Sequence, residues 1–428
     1  MFWFNTNFLL VKEYGNKKFF LFNKISEEKE KMNEDMFNLL IGLSYEHIMT
    51  EEIIEYLRKI DVLDELIQKE VLVSYCTTKM DIVFIQENYS VNRIFLEVSQ
   101  KCNLRCNHCY NESSVLMEDA LSYSDIKGLI DNAKGQGCYI FQITGGEPLI
   151  RKDIEEIIDY IGRNGFKITI FTNLTFLPKR IVALLSKYSI KIVTSIDFID
   201  PQKHDAFRGK TGALNTTIKN IKKLKNESIE VRVNMMIDNK DDNELESIIN
   251  FLKLDLKVPY IADVIIPTGR GRNRNNLTEL WENSFKYKQI AVDAVLNDHK
   301  LDLSKKIECN IACIYANDCG VGKSFLFVDS HGNVTICPSM RKTHNEQFWF
   351  GNLKEDSFET IMHNFKNKHI NVSCKFEQEC VYSKQCLGGC RSRAYHFLGD
   401  VQEVDPIMCS IYQNEKSEMM EWKNEIYR

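Results

Sequence analysis

The sequence predicts an α/β protein built on a partial (β/α)6 barrel, preceded by a small winged helix-turn-helix domain and followed by a cysteine-rich region. Three observations support this prediction. Between residues 94 and 266, short apolar segments alternate with amphipathic helical segments. Residues 1–90 combine a hairpin pattern with helical patterns. From about residue 300 onward, cysteine, glycine and short β patterns replace the regular alternation.

The first domain is expected to span residues 1–90. Residues 8–11 and 18–22 flank Tyr14-Gly15-Asn16, which predicts a β-hairpin. Helical spacing predicts helices over 34–43, from 51 onward after Thr50, and over 62–69. Two short β runs follow at 71–75 and 82–85. A hairpin, three helices and a β wing together make a winged helix-turn-helix.

A winged helix could bind DNA, but the charge of this one argues against it. From Met49 to Glu70 there are seven acidic and three basic residues, and the whole chain carries a net charge of −5. Phosphates would repel so acidic a helix. We therefore expect no nucleic-acid partner. The alternative is capture of a peptide as an added strand at a sheet edge.

The barrel is expected within residues 91–300. Strand–helix alternation implies a parallel sheet, with the helices as crossovers, and six units suggest a partial barrel instead of a closed eight-fold one. The predicted strands are 94–98, 139–144, 167–172, 190–196, 231–237 and 261–266. The predicted helices include 124–133, 153–163, 179–187, 213–225 and 242–252.

The 14 cysteines are unusual for a chain that is expected to be cytoplasmic. The start of the sequence lacks a signal-peptide pattern, and there is no apolar run long enough to span a membrane. In a reducing compartment, many cysteines indicate metal ligands more than disulfides. One group lies at 102–109 and nine of the 14 fall between 309 and 409. Cys76 and Cys138 are expected to be small buried residues.

Three cysteines form the sharpest motif, Cys102-x3-Cys106-x2-Cys109, directly after the first barrel strand. Three thiolates in a wrapped loop would leave one iron of a 4Fe–4S cluster open. Structural zinc normally has four ligands in matched pairs, and His108 is badly placed to be the fourth. Ferredoxin-type clusters use four cysteines. We therefore predict a cluster with an open site.

This motif resembles the signature of the radical S-adenosylmethionine (SAM) superfamily, with His108 at its variable aromatic position and Tyr110 after the third cysteine. Gly145-Gly146-Glu147-Pro148 resembles the family's GGEP, in which the glutamate receives the methionine amino group. Arg208 resembles the family's arginine for the SAM carboxylate. Since α/β barrels build active sites at the carboxyl ends of their strands, the resemblance implies SAM-binding roles for these residues together with Asn173, Ser195, Asp197 and Asn234.

The carboxyl-terminal cysteines could form disulfides or zinc ribbons, but their pattern resembles the SPASM extension of radical SAM peptide maturases. A hairpin with Gly332-x4-Cys337 and the run Cys386-x3-Cys390 carry this resemblance. It implies two auxiliary 4Fe–4S clusters over residues 301–428. The first would take Cys319, Cys337 and Cys390 with Cys313, and the second would take Cys374, Cys380, Cys386 and Cys409. Cys309 could replace Cys313, or the first cluster could keep an open iron.

Taken together, these features resemble a sactisynthase-like maturase of ribosomally made peptides, with a peptide-recognition winged helix. The resemblance implies SAM and three 4Fe–4S clusters as cofactors, a precursor peptide bound through its leader, and an electron donor such as flavodoxin or ferredoxin. It also implies a thioether or carbon-based crosslink as product. Formylglycine formation on a sulfatase, a carbon–carbon link for a quinone cofactor and peptide epimerisation stay open. A different class, an iron–sulfur regulator that binds DNA, is disfavoured by the acidic helix. The basic stretch 269–274 could contact an acidic peptide or the edge of SAM, although such a stretch is usually a solvated loop.

Overall fold

The structure is a computed structural model, and part of the chain is described in it. Five of the cysteines (Cys76, Cys309, Cys313, Cys319 and Cys386) and the predicted turn at 14–16 lie outside the described residues. The described residues are 3–4, 8–13, 18–23, 29–44, 51–69, 71–73, 81–85, 91–237, 240–273, 320–343, 345–368, 370, 372–380, 383 and 388–412.

The amino-terminal part contains the predicted hairpin and three helices. Its elements are β1 (Trp3–Phe4), β2 (Phe8–Glu13), β3 (Lys18–Asn23), β4 (Lys29–Met32), α1 (Glu34–Ser44), α2 (Glu51–Lys59), α3 (Leu63–Gln68), β5 (Leu72–Val73) and β6 (Asp81–Ile85). The strands β2 and β3 pair antiparallel. A small core forms where Phe19 packs on Phe37, with ring centroids 4.9 Å apart, above Leu10, Leu57 and Val71.

The last two β runs, which were predicted to form the wing, lie in two different sheets. The strand β5 pairs antiparallel with β1, whereas β6 pairs parallel with β2 and extends the hairpin sheet to the order β4-β3-β2-β6. The sequence pattern identified both strands correctly but could not identify their partners, because pairing depends on segments far away in the chain. The domain limits of residues 1–90, 91–300 and 301–428 stay a prediction.

The central sheet confirms the predicted parallel α/β architecture. Its six parallel neighbours are β7 (Arg93–Ser99), β8 (Ile140–Gly145), β9 (Lys167–Phe171), β10 (Lys191–Ser195), β11 (Val231–Ile237) and β12 (Tyr260–Val264). They pair in chain order, each parallel to the next. Within the described residues β12 is an edge, so the barrel is open there.

Helices connect these strands and bury their apolar faces on the sheet. They are α4 (Tyr123–Gly135), α5 (Ile154–Arg163), α6 (Lys179–Lys187), α7 (Pro201–Arg208), α8 (Ala213–Asn226) and α9 (Asp242–Asn250), the last continued by a π-helical turn, Phe251–Leu256. On α5, four isoleucines at helical spacing are buried. Ser122 and Asp241 begin α4 and α9 with capping boxes.

The cysteine-rich part continues the same sheet. The strand β13 (Phe325–Val328) pairs parallel with β7, then β14 (Asn333–Thr335) and β15 (Trp349–Asn352) follow antiparallel. The predicted hairpin about Gly332 is thus confirmed as β13–β14, with Gly332 at φ +89°. The remaining helices are α10 (Phe358–Asn367), α11 (Arg391–Leu398) and α12 (Pro406–Tyr412).

The amino-terminal part touches the barrel at the beginning of its strands. Phe22 of β3 is buried against Tyr139, which directly precedes β8, with ring centroids 4.9 Å apart. Lys167, the first residue of β9, lies over the same Phe22 ring. The contact is therefore at the end of the barrel opposite to the carboxyl ends of the strands. In the described part of the chain, every helix is too short or too polar to cross a membrane.

Candidate active site

The loop that carries Cys102, Cys106 and Cys109 is held by hydrogen bonds from three sides. The Cys102 N–H donates to the Ser114 carbonyl (3.1 Å), and the N–H groups of Arg105 and Asn107 donate to the carbonyls of Arg208 and Phe207 (both 3.0 Å). Gly209 follows α7 at φ +70°, and a Cβ there would lie 2.7 Å from the Arg105 carbonyl oxygen. Glycine at this position lets α7 end directly against the loop.

All three cysteines line one cavity of about 320 Å³ at the carboxyl ends of the barrel strands. Among the described residues, no three His, Cys, Asp or Glu side chains close around a single metal ion. Three cysteines that line one cavity of this size fit the donor set of a 4Fe–4S cluster with an open iron better than the four closed ligands of structural zinc.

Burial keeps the thiols of Cys102 and Cys106 protonated in the absence of a cationic partner. Burial raises the pKa of Cys102 to about 12, and negative charge on Glu147, Cys106 and Cys109 would raise it further, against a hydrogen bond from the Leu104 N–H. Burial also raises the pKa of Cys106, while the nearby Arg208 charge opposes this. Thiolates at Cys102 and Cys106 would therefore need a strongly cationic centre, such as an iron cluster, beside them.

Several predicted SAM-binding residues line the same cavity. Ser195 and Asn234 are register partners on β10 and β11. The Asn234 Oδ1 is buried without a hydrogen-bond partner among the described residues, which suits a polar ligand. Asn173 donates from Nδ2 to Asn103 Oδ1 (2.9 Å) and lies 3.9 Å from Cys102 Sγ. The predicted residues on the cavity wall are Tyr110, Gly145, Gly146, Asn173, Ser195, Arg208 and Asn234.

Glu147 lies behind this wall instead of on it. Its carboxylate is fully buried and accepts from Thr172 Oγ1 (2.7 Å), the Asn173 N–H (2.6 Å) and the Leu149 N–H (3.0 Å). Burial raises its pKa to about 7 against these hydrogen bonds. Pro148 and Asp197 are likewise absent from the wall. The role of Glu147 toward the SAM amine stays a prediction.

The two glycines of this motif serve close packing within the chain. A Cβ on Gly145 would overlap the Ser99 carbonyl oxygen, and one on Gly146 would overlap the Lys101 carbonyl oxygen. The space beside both glycines is therefore filled by the backbone that leads into the cysteine loop, and larger residues would displace that loop.

Arg208 is already paired within the protein. Its Nε donates to Asp197 Oδ2 (2.5 Å), and its Nη1 lies 3.8 Å from Cys106 Sγ. Asp197 also accepts from the Met236 N–H (2.9 Å). Burial would raise the pKa of Asp197, but the positive charges around it, Arg208 foremost, together outweigh this and the pKa falls to about 2. Arg208 therefore places its positive charge beside a cluster cysteine.

The basic stretch at 269–274 includes a clamp on the cysteine loop. The Arg270 side chain donates from Nε to the Cys106 carbonyl (2.7 Å) and from Nη1 to the Ser113 carbonyl (3.0 Å), while its N–H donates to the Cys109 carbonyl (3.0 Å). Arg272 is exposed and Arg274 lies outside the described residues. Arg270 thus binds the backbone of the cysteine loop. The sequence had suggested a solvated loop or contact with a peptide or SAM, and did not predict this contact.

Hydrogen bonds connect Cys337 with the segment of Cys390, while the assignment of the auxiliary cysteines to two clusters stays a prediction. Cys337 Sγ lies 3.3 Å from Ser339 Oγ, which donates to Ser392 Oγ (2.8 Å), two residues after Cys390. A Cβ on Gly388 would lie 3.3 Å from Cys374 Cβ. Cys138 is buried outside the cavity, as expected for a structural residue.

Sequence reasoning missed Glu97 and Arg341. Glu97 lies on β7, is fully buried, and accepts from Arg341 Nη1 at 2.9 and 3.1 Å. The signal was present, because Glu97 is a lone charge in the otherwise apolar run of residues 94–98. A charge in such a run is almost never buried without a partner.

An open α/β barrel whose cysteine-lined cavity lies at the carboxyl ends of its strands defines a class of iron–sulfur enzymes. Residues 96–252 match the profile of the radical SAM superfamily, and residues 319–391 match SPASM, an iron–sulfur cluster-binding domain. The chain therefore carries a radical SAM domain and a SPASM domain, each over part of its length. It is an enzyme whose cofactors are SAM and 4Fe–4S clusters.

Similar proteins include peptide maturases and haem enzymes. The antilisterial bacteriocin subtilosin biosynthesis protein AlbA of Bacillus subtilis is 29% identical, over 70% of this chain and 68% of its own length. An AdoMet-dependent heme synthase of Methanosarcina barkeri is 28% identical, over 72% and 94%. The crystal structure of Streptococcus suis SuiB bound to precursor peptide SuiA shares the fold, with a TM-score of 0.67 at 16% identity over 96% of this chain and 100% of that one.

Proposed function

We propose that this enzyme cleaves SAM to a 5′-deoxyadenosyl radical and uses it to modify a ribosomally made precursor peptide, forming a thioether or carbon-based crosslink. The combination of a cysteine-lined cavity and a separate amino-terminal domain carries the proposal. In that domain, β4 and β6 are the outer strands of the described sheet, where a peptide could add as a further strand. AlbA is named for the biosynthesis of the bacteriocin subtilosin, and SuiB has been solved bound to the precursor peptide SuiA; both support the assignment.

The proposed cofactor site places SAM against the cluster on Cys102, Cys106 and Cys109. Bound SAM supplies the radical chemistry, and the chain supplies position and water exclusion. His108 stacks on Phe207 at 4.7 Å and 13°, which fixes the loop beside Cys109. Phe95 and Phe171, with ring centroids 5.1 Å apart, form an apolar part of the cavity wall. Ser195, Asn234 and Tyr110 offer polar groups for the ligand.

The substrate would have to span the barrel. The amino-terminal domain contacts the beginnings of β8 and β9, whereas the cavity lies at their carboxyl ends. At about 3.3 Å per residue, a strand of six residues is about 20 Å long. A leader held at the small domain must therefore be followed by a spacer before the modified segment. Such tethering would raise the effective concentration of the segment at the cavity.

The rival proposal is a haem-forming reaction, favoured by the similarity to heme synthases. Those relatives align with 72% of this chain, whereas the fold match to SuiB extends over 96%. A peptide-recognition domain is expected for a maturase and has no evident use on a porphyrin. Formylglycine formation, a quinone-type carbon–carbon link and epimerisation stay possible variants of the peptide reaction.

The test is anaerobic turnover of reconstituted full-length enzyme with SAM and a small peptide encoded beside its gene. We expect 5′-deoxyadenosine, together with a peptide that has lost two hydrogens per crosslink by mass spectrometry. Cys102→Ala should abolish both products, while Cys138→Ala should retain them. Conversion of iron-coproporphyrin to haem without any change in peptide would overturn the proposal in favour of its rival. An unchanged peptide mass with inverted stereochemistry would replace crosslinking by epimerisation.

Two further expectations accompany the proposal. An electron donor such as flavodoxin or ferredoxin would reduce the SAM-binding cluster. A cytoplasmic location would suit free thiols and oxygen-sensitive clusters, since a reducing compartment disfavours disulfides.

A further inference from the structure

A buried carboxylate with donors from several segments, that of Glu97, joins the barrel to the SPASM part. The Glu97 carboxylate accepts from Arg341 Nη1, from Ser330 Oγ (2.9 Å) and from Asn111 Nδ2 (2.7 Å). Asn111 lies two residues after Cys109, and Arg341 lies four residues after Cys337. One carboxylate on β7 therefore grips both the cysteine loop and the segment of an auxiliary cysteine.

A second buried guanidinium also joins the SPASM part to the barrel, at the opposite edge of the barrel sheet. Arg393, three residues after Cys390, is 1% exposed. Its Nη1 donates to Asp263 Oδ1 on β12 (2.9 Å), and its Nη2 donates to Asp405 Oδ2 (2.7 Å). Asp405 also accepts from the Cys390 N–H (2.7 Å). The two arginines thus connect to the first and last strands of the six-stranded array.

The two arginine segments are also connected to each other. Ser339 Oγ donates to Ser392 Oγ (2.8 Å), and the His396 ring lies 2.9 Å from the Ser339 carbonyl oxygen. Cys337 and Cys390 therefore belong to one hydrogen-bonded unit with two ionic attachments to the barrel. Buried charges that are hydrogen-bonded on all sides resist displacement, because any shift leaves a charge without compensation.

We propose that Arg341 and Arg393 are positioning residues that hold the first auxiliary cluster at a fixed distance and orientation from the SAM-binding cluster. The proposal rests on the assignment of Cys337 and Cys390 to one cluster. Glu97 is the shared anchor, since it also holds Asn111 of the cysteine loop. A fixed geometry would couple SAM cleavage to completion of the product, and a loosened one would allow cleavage without product.

The experiment uses reconstituted full-length enzyme and compares Arg341→Gln, Arg341→Lys and Asp263→Asn with wild type. Two quantities are measured: the EPR spectrum of the reduced clusters, including magnetic interaction between them, and the ratio of modified peptide to 5′-deoxyadenosine. Since small misplacements can cost about a hundredfold in rate, we expect Arg341→Gln to lower the ratio at least about tenfold and to alter the intercluster signal. Arg341→Lys should recover part of both effects, and Asp263→Asn should show a weaker version of them.

Arg151→Gln is the matched control. The Arg151 side chain is 8% exposed and also forms an ion pair, with Asp153, but that pair lies wholly within the barrel. Arg151→Gln should lower the stability of the fold while leaving the ratio of modified peptide to 5′-deoxyadenosine and the intercluster signal as in wild type. If Arg341→Gln fails to fold, Glu97→Gln/Arg341→Gln replaces it, because removing both charges avoids an uncompensated one.

Two outcomes would overturn the positioning role without overturning the proposed function. If the Arg341 variants lose stability but keep the wild-type spectrum and ratio, the pair is purely structural and the positioning role is wrong. If Cys337→Ala and Cys390→Ala bind as much iron as wild type, the cluster assignment itself fails. Peptide modification by the wild-type enzyme, measured in the same series, tests the proposed function independently.

Discussion

Asp197→Asn should destabilise the protein strongly, because it leaves the Arg208 guanidinium buried without its counter-charge. Asp197 is fully buried and Arg208 is 7% exposed, with Nε and Oδ2 2.5 Å apart. Removing one partner of a buried pair costs about 3–5 kcal/mol. Burial alone would raise the Asp197 pKa, but the surrounding positive charges, Arg208 foremost, together bring it from 3.8 down to about 2. The lowered pKa corresponds to a contribution of about 2 kcal/mol from ionised Asp197 to the free energy of unfolding at neutral pH.

The assay is urea unfolding of the metal-free protein, followed by circular dichroism at constant pH. Lys203→Gln is the control, since Lys203 lies on the same helix in an exposed pair with Glu244, and such pairs contribute less than about 1 kcal/mol. Asp197→Asn/Arg208→Gln should recover part of the lost stability because both charges are gone. If Asp197→Asn is no more destabilising than Lys203→Gln, the reasoning about this pair is refuted.

Three further predictions concern the same site. Arg270→Gln should lower iron retention by the cysteine loop, because each hydrogen bond to a charged group contributes about 1.5–3 kcal/mol; exposed Arg272→Gln should retain wild-type iron, and equal losses in both would contradict the clamp. Gly146→Ala should reduce cluster loading because the new Cβ would overlap backbone. The control Gly128→Ala lies in open space on α4 and should stabilise the folded protein by about 0.5–1 kcal/mol. A fully loaded Gly146→Ala variant would show that the loop can shift to make room. Burial lowers the His204 pKa to about 4, so between pH 6.5 and pH 4 the unfolded state binds a proton that the folded state does not. The folding stability present above pH 6.5 should therefore fall by about 3 kcal/mol as the pH drops to 4. His204→Gln should flatten this part of the stability profile, and an unchanged profile would refute the role of His204.

The regular part of the fold could be read from local patterns. The helix at 179–187 and the strand at 231–237 have the predicted bounds, and most other barrel elements differ by one or two residues at their ends. Apolar periodicity determines such elements because each must bury one face. The short helix α7 was missed because it is mostly polar. Its start could have been found, since Asp200 caps it and Pro201 occupies its first position.

Partners far apart in the chain could not be read in this way. Pairing of β6 with β2 and of β13 with β7 joins segments separated by long stretches of chain. The same holds for the contacts of Arg270 with the cysteine loop, 164 residues away. A pattern shows that a strand or a charge needs a partner, but not which one.

The sequence by itself determined the chemistry of this protein, because the three cysteines that define it lie within eight residues of one another. Only the tertiary structure decided how that chemistry is supported. Glu97 and Arg341 are 244 residues apart and meet because β13 joins the barrel sheet beside β7. Buried charges acquire their partners from the way the sheet assembles, and spacing along the chain carries no record of that assembly.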